Sequence, residues 1–307
     1  VTPPPEGSAD PLPRFFAEKS WERATAADIG RAALVPTMLQ FDEQAYYVAL
    51  TRDWARGDGA IVDLGSFAGG SAACLAEGVA QAGRQQVVYG YDKFDVTDYD
   101  VFAERYRAYC ASPPASECGL PPMPLPEPHG TDLLPVAAEF LRPWGQGIEL
   151  RKGQIEDIGW PGGEIEVLVM DASKTAESMD QMSAQFLPHL IPGRSVVVQQ
   201  DFLWWQQPWI AAQMALLRDY LVPLVHVPRD SVSFLCVRAI PSGLLEGLTL
   251  AAMPDEEMIR LHREMKQMVK PLRIDRQMRR LTASVRANPG VRKAFGFRNK
   301  PETGDKG

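Results

Sequence analysis

The hydrophobic positions of this chain change period several times along its length, and the changes outline its elements. From Pro36, the segment PTMLQFDEQAYYVALTRDWA sets Met38, Phe41, Ala45, Val48 and Leu50 at near-helical spacing, which predicts a helix closed by GDG at 57–59. Short apolar runs then alternate with amphipathic stretches: strand AIVDLG, helix SAACLAEGVAQAG, strand QVVYGYD and a helix around DYDVFAERYRAYC. Beyond a Pro-rich loop from Ser112 to His129 come helix LLPVAAEFLRPW, strands IELRKG and EVLVMD, helix AESMDQMSAQFLPHL, strand SVVVQQD and helix PWIAAQMALLRDYL. Strands alternating with helices imply parallel pairing through right-handed crossovers, with helices on both faces of one sheet. The last two strands, LVPLVHV and VSFLCVRA, are separated only by PRDS, too short for a crossover helix, so they form an antiparallel hairpin at the sheet edge. The predicted fold is α/β: a Rossmann-like sandwich whose mostly parallel seven-stranded sheet ends in a hairpin.

Three regions follow from the same pattern. Residues 1–30 open with the Pro-rich arm PPPEGSADPLP, residues 31–245 hold the α/β domain, and residues 246–307 form a helical C-terminal extension. In that extension Met258, Leu261, Met265, Met268 and Leu272 make an apolar stripe, which predicts packing in the core or between subunits of a homo-oligomer. The 18-residue Pro-rich loop is long for a compact domain and reads as a lid over the substrate or an unstructured insert.

Composition narrows the class. The chain has 307 residues, 45% of them hydrophobic, enough to bury a full core. No run of about 18 apolar residues marks a membrane span, and the N-terminus lacks the pattern of a secretory signal. The four cysteines show no C-x-x-C spacing, which favours a reducing, cytoplasmic setting; a local Cys110–Cys118 disulfide is the alternative. The net charge of −7 is unevenly spread: residues 255–300 carry 13 Lys/Arg against five Asp/Glu, so the remaining body is strongly acidic. An acidic body argues against nucleic acid as a partner, while the basic tail is either a solvated extension or a surface for an anionic partner.

The chemistry gathers after the first strand, in IVDLGSFAGG. Loops leaving the C-terminal ends of parallel strands are where open α/β sheets bind ligands, and Gly65, Ala68, Gly69 and Gly70 let a ligand approach the backbone. The helix starting near Ser71 turns its free N–H groups toward the same place. A dinucleotide fingerprint needs G-x-G-x-x-G, but Gly65 is followed by Ser66 and Phe67, so the second glycine is replaced by a ring. Asp63 stands at the strand end, where a carboxylate repels phosphates and attracts a cationic amino group. Asp92 ends the second strand, and an acid there accepts both hydroxyls of a ribose. Each acid alone is more often a turn or capping residue; together, with the Gly-rich loop between them, they outline an aminoacyl nucleoside.

On these residues the sequence resembles the class I S-adenosylmethionine-dependent methyltransferases. Asp63-Leu64-Gly65-Ser66-Phe67-Ala68-Gly69-Gly70-Ser71 looks like their first motif and YGYDKFD (89–95) like the second. More narrowly, over residues 36–240, it is similar to the macrocin and mycinamicin O-methyltransferase group, which acts on sugars and glycosylated natural products. The resemblance implies that Asp63, Gly65 and Gly69, with Ser66, Phe67 and Ser71, surround the methionine end of the cofactor. It places Asp92 on the ribose hydroxyls, Lys93 and Phe94 beside the adenosine, and Gln154, with Ile155, toward the adenine amino group, although an exposed loop glutamine is an equal reading. It also matches Asp171 to the acid that ligates a divalent ion in metal-using members.

Two departures qualify what the resemblance implies about catalysis. Metal-using relatives carry paired acids after the fifth strand, where this chain has Gln199 and Gln200, with Asp201 one residue later. Neutral amides are poor ligands for Mg²⁺, so Asp171, Gln200 and Asp201 form either a weak metal site or, as we favour, a metal-free polar cluster. In DASKTAE, Lys174 stands where the group has a histidine able to serve as a base; a lysine there is expected to bind an anionic substrate group. Asp201 is the first choice for base or polariser, ahead of Asp171 and Lys174, while His189 and His226 read as structural. Trp204, Trp205 and Trp209 after the fifth strand read either as an acceptor platform or as cover for the cleft. The expected activity is cytoplasmic O-methylation of a saccharide or glycosylated small molecule. A non-catalytic module of the same fold, and a nicotinamide-dependent oxidoreductase, are the alternatives.

Overall fold

The alternation of the chain becomes a single twisted sheet in the computed structural model, which describes residues 13–247 and 249–301. The strands are β1 Ala60–Leu64, β2 Val88–Asp92, β3 Ile148–Lys152, β4 Ile165–Met170, β5 Val196–Gln199, β6 Leu221–Val227 and β7 Ser231–Cys236. Their order is β3-β2-β1-β4-β5-β7-β6. The first five pair in parallel, and β7 runs antiparallel to both β5 and β6. The hairpin is therefore present as predicted, with its second strand inserted next to β5 and its first strand at the edge. The strand order reverses beside β1, which places the ends of β1, β2 and β4 at the switch point of the sheet, where a crevice opens.

The helices are α1 Arg14–Glu18, α2 Ala26–Ile29, α3 Phe41–Ala49, α4 Gly70–Gln81, α5 Tyr99–Cys110, α6 Leu134–Leu141, α7 Ile155–Ile158, α8 Ala176–Phe186, α9 Trp209–Leu216, α10 Ser242–Glu246, α11 Asp255–Met268 and α12 Asp275–Ala287. They divide between two cores, because successive strand side chains point to opposite faces. Ile61, Val167, Val169, Val196 and Val198 face the layer of α3, α4 and α6. Val62, Leu168, Met170, Val197 and Phe234 face α8, α9 and the C-terminal helices.

Both terminal regions pack onto this body. The first twelve residues of the Pro-rich arm lie outside the described residues; from Pro13 onward the chain is helical, with Phe16, Trp21 and Ile29 buried. The apolar stripe of the extension lies against α9: Met258, Leu261 and Met265 are buried in the same core as the sheet, joined by Met278, Leu281 and Val285 of α12. The stripe is thus taken up inside the chain. No helix among the described residues is long and apolar enough to cross a membrane.

The Pro-rich loop, expected as a lid or an unstructured insert, is packed onto the body. It runs along α5, where Tyr106 donates its hydroxyl to Met123 O at 2.7 Å, Tyr99 donates to Pro126 O, and Ala115 and Cys118 are buried. None of its residues lines the main cleft. The four cysteines are free thiols, so the Cys110–Cys118 alternative is not formed.

Candidate active site

A cleft of about 400 Å³ opens at the C-terminal ends of β1, β2 and β4, walled by Met38, Gly65, Phe67, Asp92, Lys93, Gln154, Ile155, Asp171 and Lys174, among others. Its size is that of an ordinary small-molecule site. The β1–α4 loop forms one side. Gly65 has φ 105°, and a Cβ there would come within 2.9 Å of the Asp171 carbonyl carbon, so glycine is what lets this loop meet the end of β4. Gly69, at φ 94°, caps α4, and a Cβ on it would meet Leu141 at 2.7 Å.

Asp92 holds the loop to β2. One carboxylate oxygen accepts from Phe67 N at 2.9 Å and the other from Phe94 N at 2.8 Å. Phe67 and Phe94 both sit in the left-handed region, at φ 48° and 49°, a conformation that costs a bulky side chain of order 1–3 kcal/mol and that these hydrogen bonds offset. The Asp92 carboxylate is thereby fixed in orientation, with lone pairs remaining for a ligand on the cleft wall. The ring of Phe94 is fully buried in the core, so its backbone, not its side chain, serves the site.

Asp63 lies behind the wall. It is fully buried, its Oδ2 accepts from Ser71 Oγ at 2.7 Å, and its Oδ1 has no partner. Burial, only partly offset by the Ser71 hydroxyl, pushes its carboxyl up to about 6. Ser66 is buried beside it with an unpaired Oγ, and Ser66 and Ser71 also line a small recess continuous in sequence with the loop. Across the cleft, Gln154 is exposed at the start of α7, and Ile155 is buried there.

The other end of the cleft carries a polar cluster built by the turns after β4 and β5. Lys174 Nζ donates to Asp171 Oδ1 at 3.1 Å and to Asp201 Oδ2 at 2.5 Å, and lies 5.4 Å from the Trp204 ring centre. Asp201 Oδ2 also accepts from Gln207 Nε2. Lys174 therefore already has two carboxylate partners. Burial, with repulsion from Asp201 and Asp63, raises the Asp171 carboxyl against the opposing pull of Lys174. Trp204 stacks edge-on with Phe295 at 6.3 Å, and Phe295 is 72% exposed.

Gln199 and Gln200 do not join this cluster. Gln200 Nε2 donates to Glu43 Oε1 at 2.5 Å and its Oε1 accepts from Tyr47 at 2.8 Å, so α3 occupies both polar atoms. Gln199 is buried on the opposite face, against the sulfurs of Met170 and Met214. Strand alternation sends the two amides into the two helical layers, and only Asp201, past the strand end, reaches the cleft region.

Several contributors were not singled out from sequence. Glu43 and Tyr47 read as part of an ordinary amphipathic helix, although a glutamate on the buried face of α3 is a signal in itself. The C-terminal segment is the other: Ala176 N donates to Arg292 O and Ala294 N donates to Lys174 O, both at 2.9 Å, so residues 292–294 clamp the turn that carries Lys174. No local pattern announces a contact of that sequence separation.

No protein-family model matches this chain, and no curated protein sequence does. It is similar to solved structures of the O-methyltransferase NovP (16% identity, TM-score 0.47, covering 66% of this chain and 82% of that one) and of the Podospora anserina methyltransferase PaMTH1 bound to SAH (14%, 0.44, 76% and 99%). It is also similar to cofactor-bound Rv0187 from MTB (16%, 0.40, 73% and 90%). With TM-scores below 0.5 these remain resemblances, and the reading of the cleft rests on its own residues.

Proposed function

We propose that the cleft binds S-adenosylmethionine and that the protein methylates a hydroxyl of a saccharide or glycosylated small molecule. The observation that carries the reading is Asp92: a carboxylate at the tip of β2, fixed by two backbone N–H groups, lining the cleft beside the glycine loop after β1. An oriented acid in that place suits a ribose diol. The buried, half-paired Asp63 behind the loop supplies negative potential for the cationic amino-acid end, and Ile155, Phe67 and Ala172 offer apolar surface between polar points. Bound there, the cofactor supplies a methyl group on a sulfonium that leaves as a neutral thioether.

The chain's own residues account for the rest of the chemistry. An acceptor hydroxyl must lose its proton, and Asp171 is better placed to take it than Asp201. Asp171 lies on the cleft wall with its affinity for protons raised, whereas one Asp201 oxygen is already shared by Lys174 and Gln207. Lys174 beside it stabilises the developing alkoxide. The exposed Phe295 and neighbouring Trp204 form a ring surface beside Lys174 on which a sugar or aglycone face can stack.

The test is transfer of a labelled methyl group to a panel of glycosides and their sugar-free aglycones. Label is expected on glycosides alone, and Asp171→Asn is expected to lower kcat by about 100-fold or more while cofactor affinity holds. Labelling of the aglycones would make the saccharide assignment wrong.

A further inference from the structure

In the metal-using methyltransferases that this sequence resembles, the acid ending the fourth strand holds a divalent ion, and the residues present here do not fit one. A hard cation needs about six oxygen ligands. The two carboxylate oxygens that point together, Asp171 Oδ1 and Asp201 Oδ2, are both bound to the Lys174 ammonium. The third ligand that the sequence offers, Gln200, has both polar atoms committed to Glu43 and Tyr47. Among the described residues no group of three His, Cys, Asp or Glu side chains is placed to hold a metal.

We infer that the Lys174 ammonium is a built-in cation, seated between Asp171 and Asp201 where a divalent ion would otherwise bind, and that the site works without metal. Electron-rich groups surround the ammonium on three sides: the two carboxylates and the face of Trp204. Lysine carries its charge on a flexible stem, so a fixed position needs a fixed backbone. That is supplied by Lys174 N donating to Ala172 O at 2.8 Å and by Ala294 N donating to Lys174 O, with Thr175 bridged to Lys293. The C-terminal extension therefore holds the cation's backbone in place.

The catalytic consequence rests on the methyl-transfer reading, but the cation assignment is tested independently with Mn²⁺ as probe, on the full chain. Electron paramagnetic resonance of free Mn²⁺ is expected to show no saturable site in the parent or in Lys174→Arg up to about 1 mM metal. Lys174→Met, which keeps the stem and removes the charge, is expected to gain one Mn²⁺ at least about tenfold tighter than any parental binding, and to lose it again when combined with Asp201→Asn. A saturable parental site abolished by Asp201→Asn would overturn the inference, and that measurement stands even if Lys174→Met does not fold. A folded Lys174→Met protein that binds Mn²⁺ no better than the parent would overturn it too. Failure of the parent to bind S-adenosylhomocysteine would remove the methyl-transfer reading and leave the Mn²⁺ result unaffected.

Discussion

Asp92 does two jobs with one carboxylate, and the structure separates them. It ties Phe67 and Phe94 in left-handed conformations, and it presents its remaining lone pairs to the cleft. Asp92→Ala should weaken S-adenosylhomocysteine binding by about 1–3 kcal/mol, roughly 5- to 150-fold, measurable by calorimetry; unchanged affinity would mean the ribose lies elsewhere. The acid's position was legible because a strand pattern ends on it, but its grip on two strained phenylalanines was not, since αL backbone at a bulky residue leaves no trace in composition. Asp63 was legible as a strand-end acid, yet it sits behind the loop. Its carboxyl, raised to about 6 by burial, must be ionised to attract a cationic ligand end. Cofactor affinity should therefore fall as pH drops through about 6, and Asp63→Asn should flatten that profile; a parent whose affinity is constant from pH 8 to 5 would remove this role.

The elements themselves followed from hydrophobic period, and their joints did not. All seven strands and the hairpin were readable because strand and helix differ in period and length. The fate of the Gln199–Gln200 pair was not, because it depends on Glu43 and Tyr47 arriving from α3, more than 150 residues away in sequence. The joint between α11 and α9 is of the same kind. His262 is buried on α11, with its Nε2 2.8 Å from Pro208 O, and burial holds its pKa down at about 4. A histidine depressed on folding contributes stability that is full above its unfolded value near 6.5 and is lost as pH falls toward 4. The loss amounts to about 3 kcal/mol. Denaturant titrations should show this acid-side decline in the parent, and His262→Gln should lessen it; an identical pH dependence in both would contradict the assignment.

At the scale of the whole molecule, the extension after residue 246 belongs to the same core as the sheet. Met258, Leu261, Met265, Met278, Leu281 and Val285 are buried with strand residues such as Val197 and Phe234. Exposing six such side chains costs about 1.5–3 kcal/mol each, which together rivals the 5–15 kcal/mol that typically holds a domain folded. A chain cut after residue 247 should accordingly lose cooperative unfolding and aggregate, as read by calorimetry and light scattering. A soluble truncated protein with a sharp transition would show the extension to be separable. The stripe was visible in sequence, but its partner was not, because an amphipathic helix has the same pattern whether it covers its own core or another subunit.

The central claim is that the crevice between the β1 glycine loop and Asp92 receives an adenosyl amino acid. Isothermal calorimetry of the full chain with S-adenosylhomocysteine and, separately, with NAD tests it most directly. The account predicts one saturable site for S-adenosylhomocysteine, weakened by Asp92→Ala, and no heat with NAD; binding of NAD alone would contradict it.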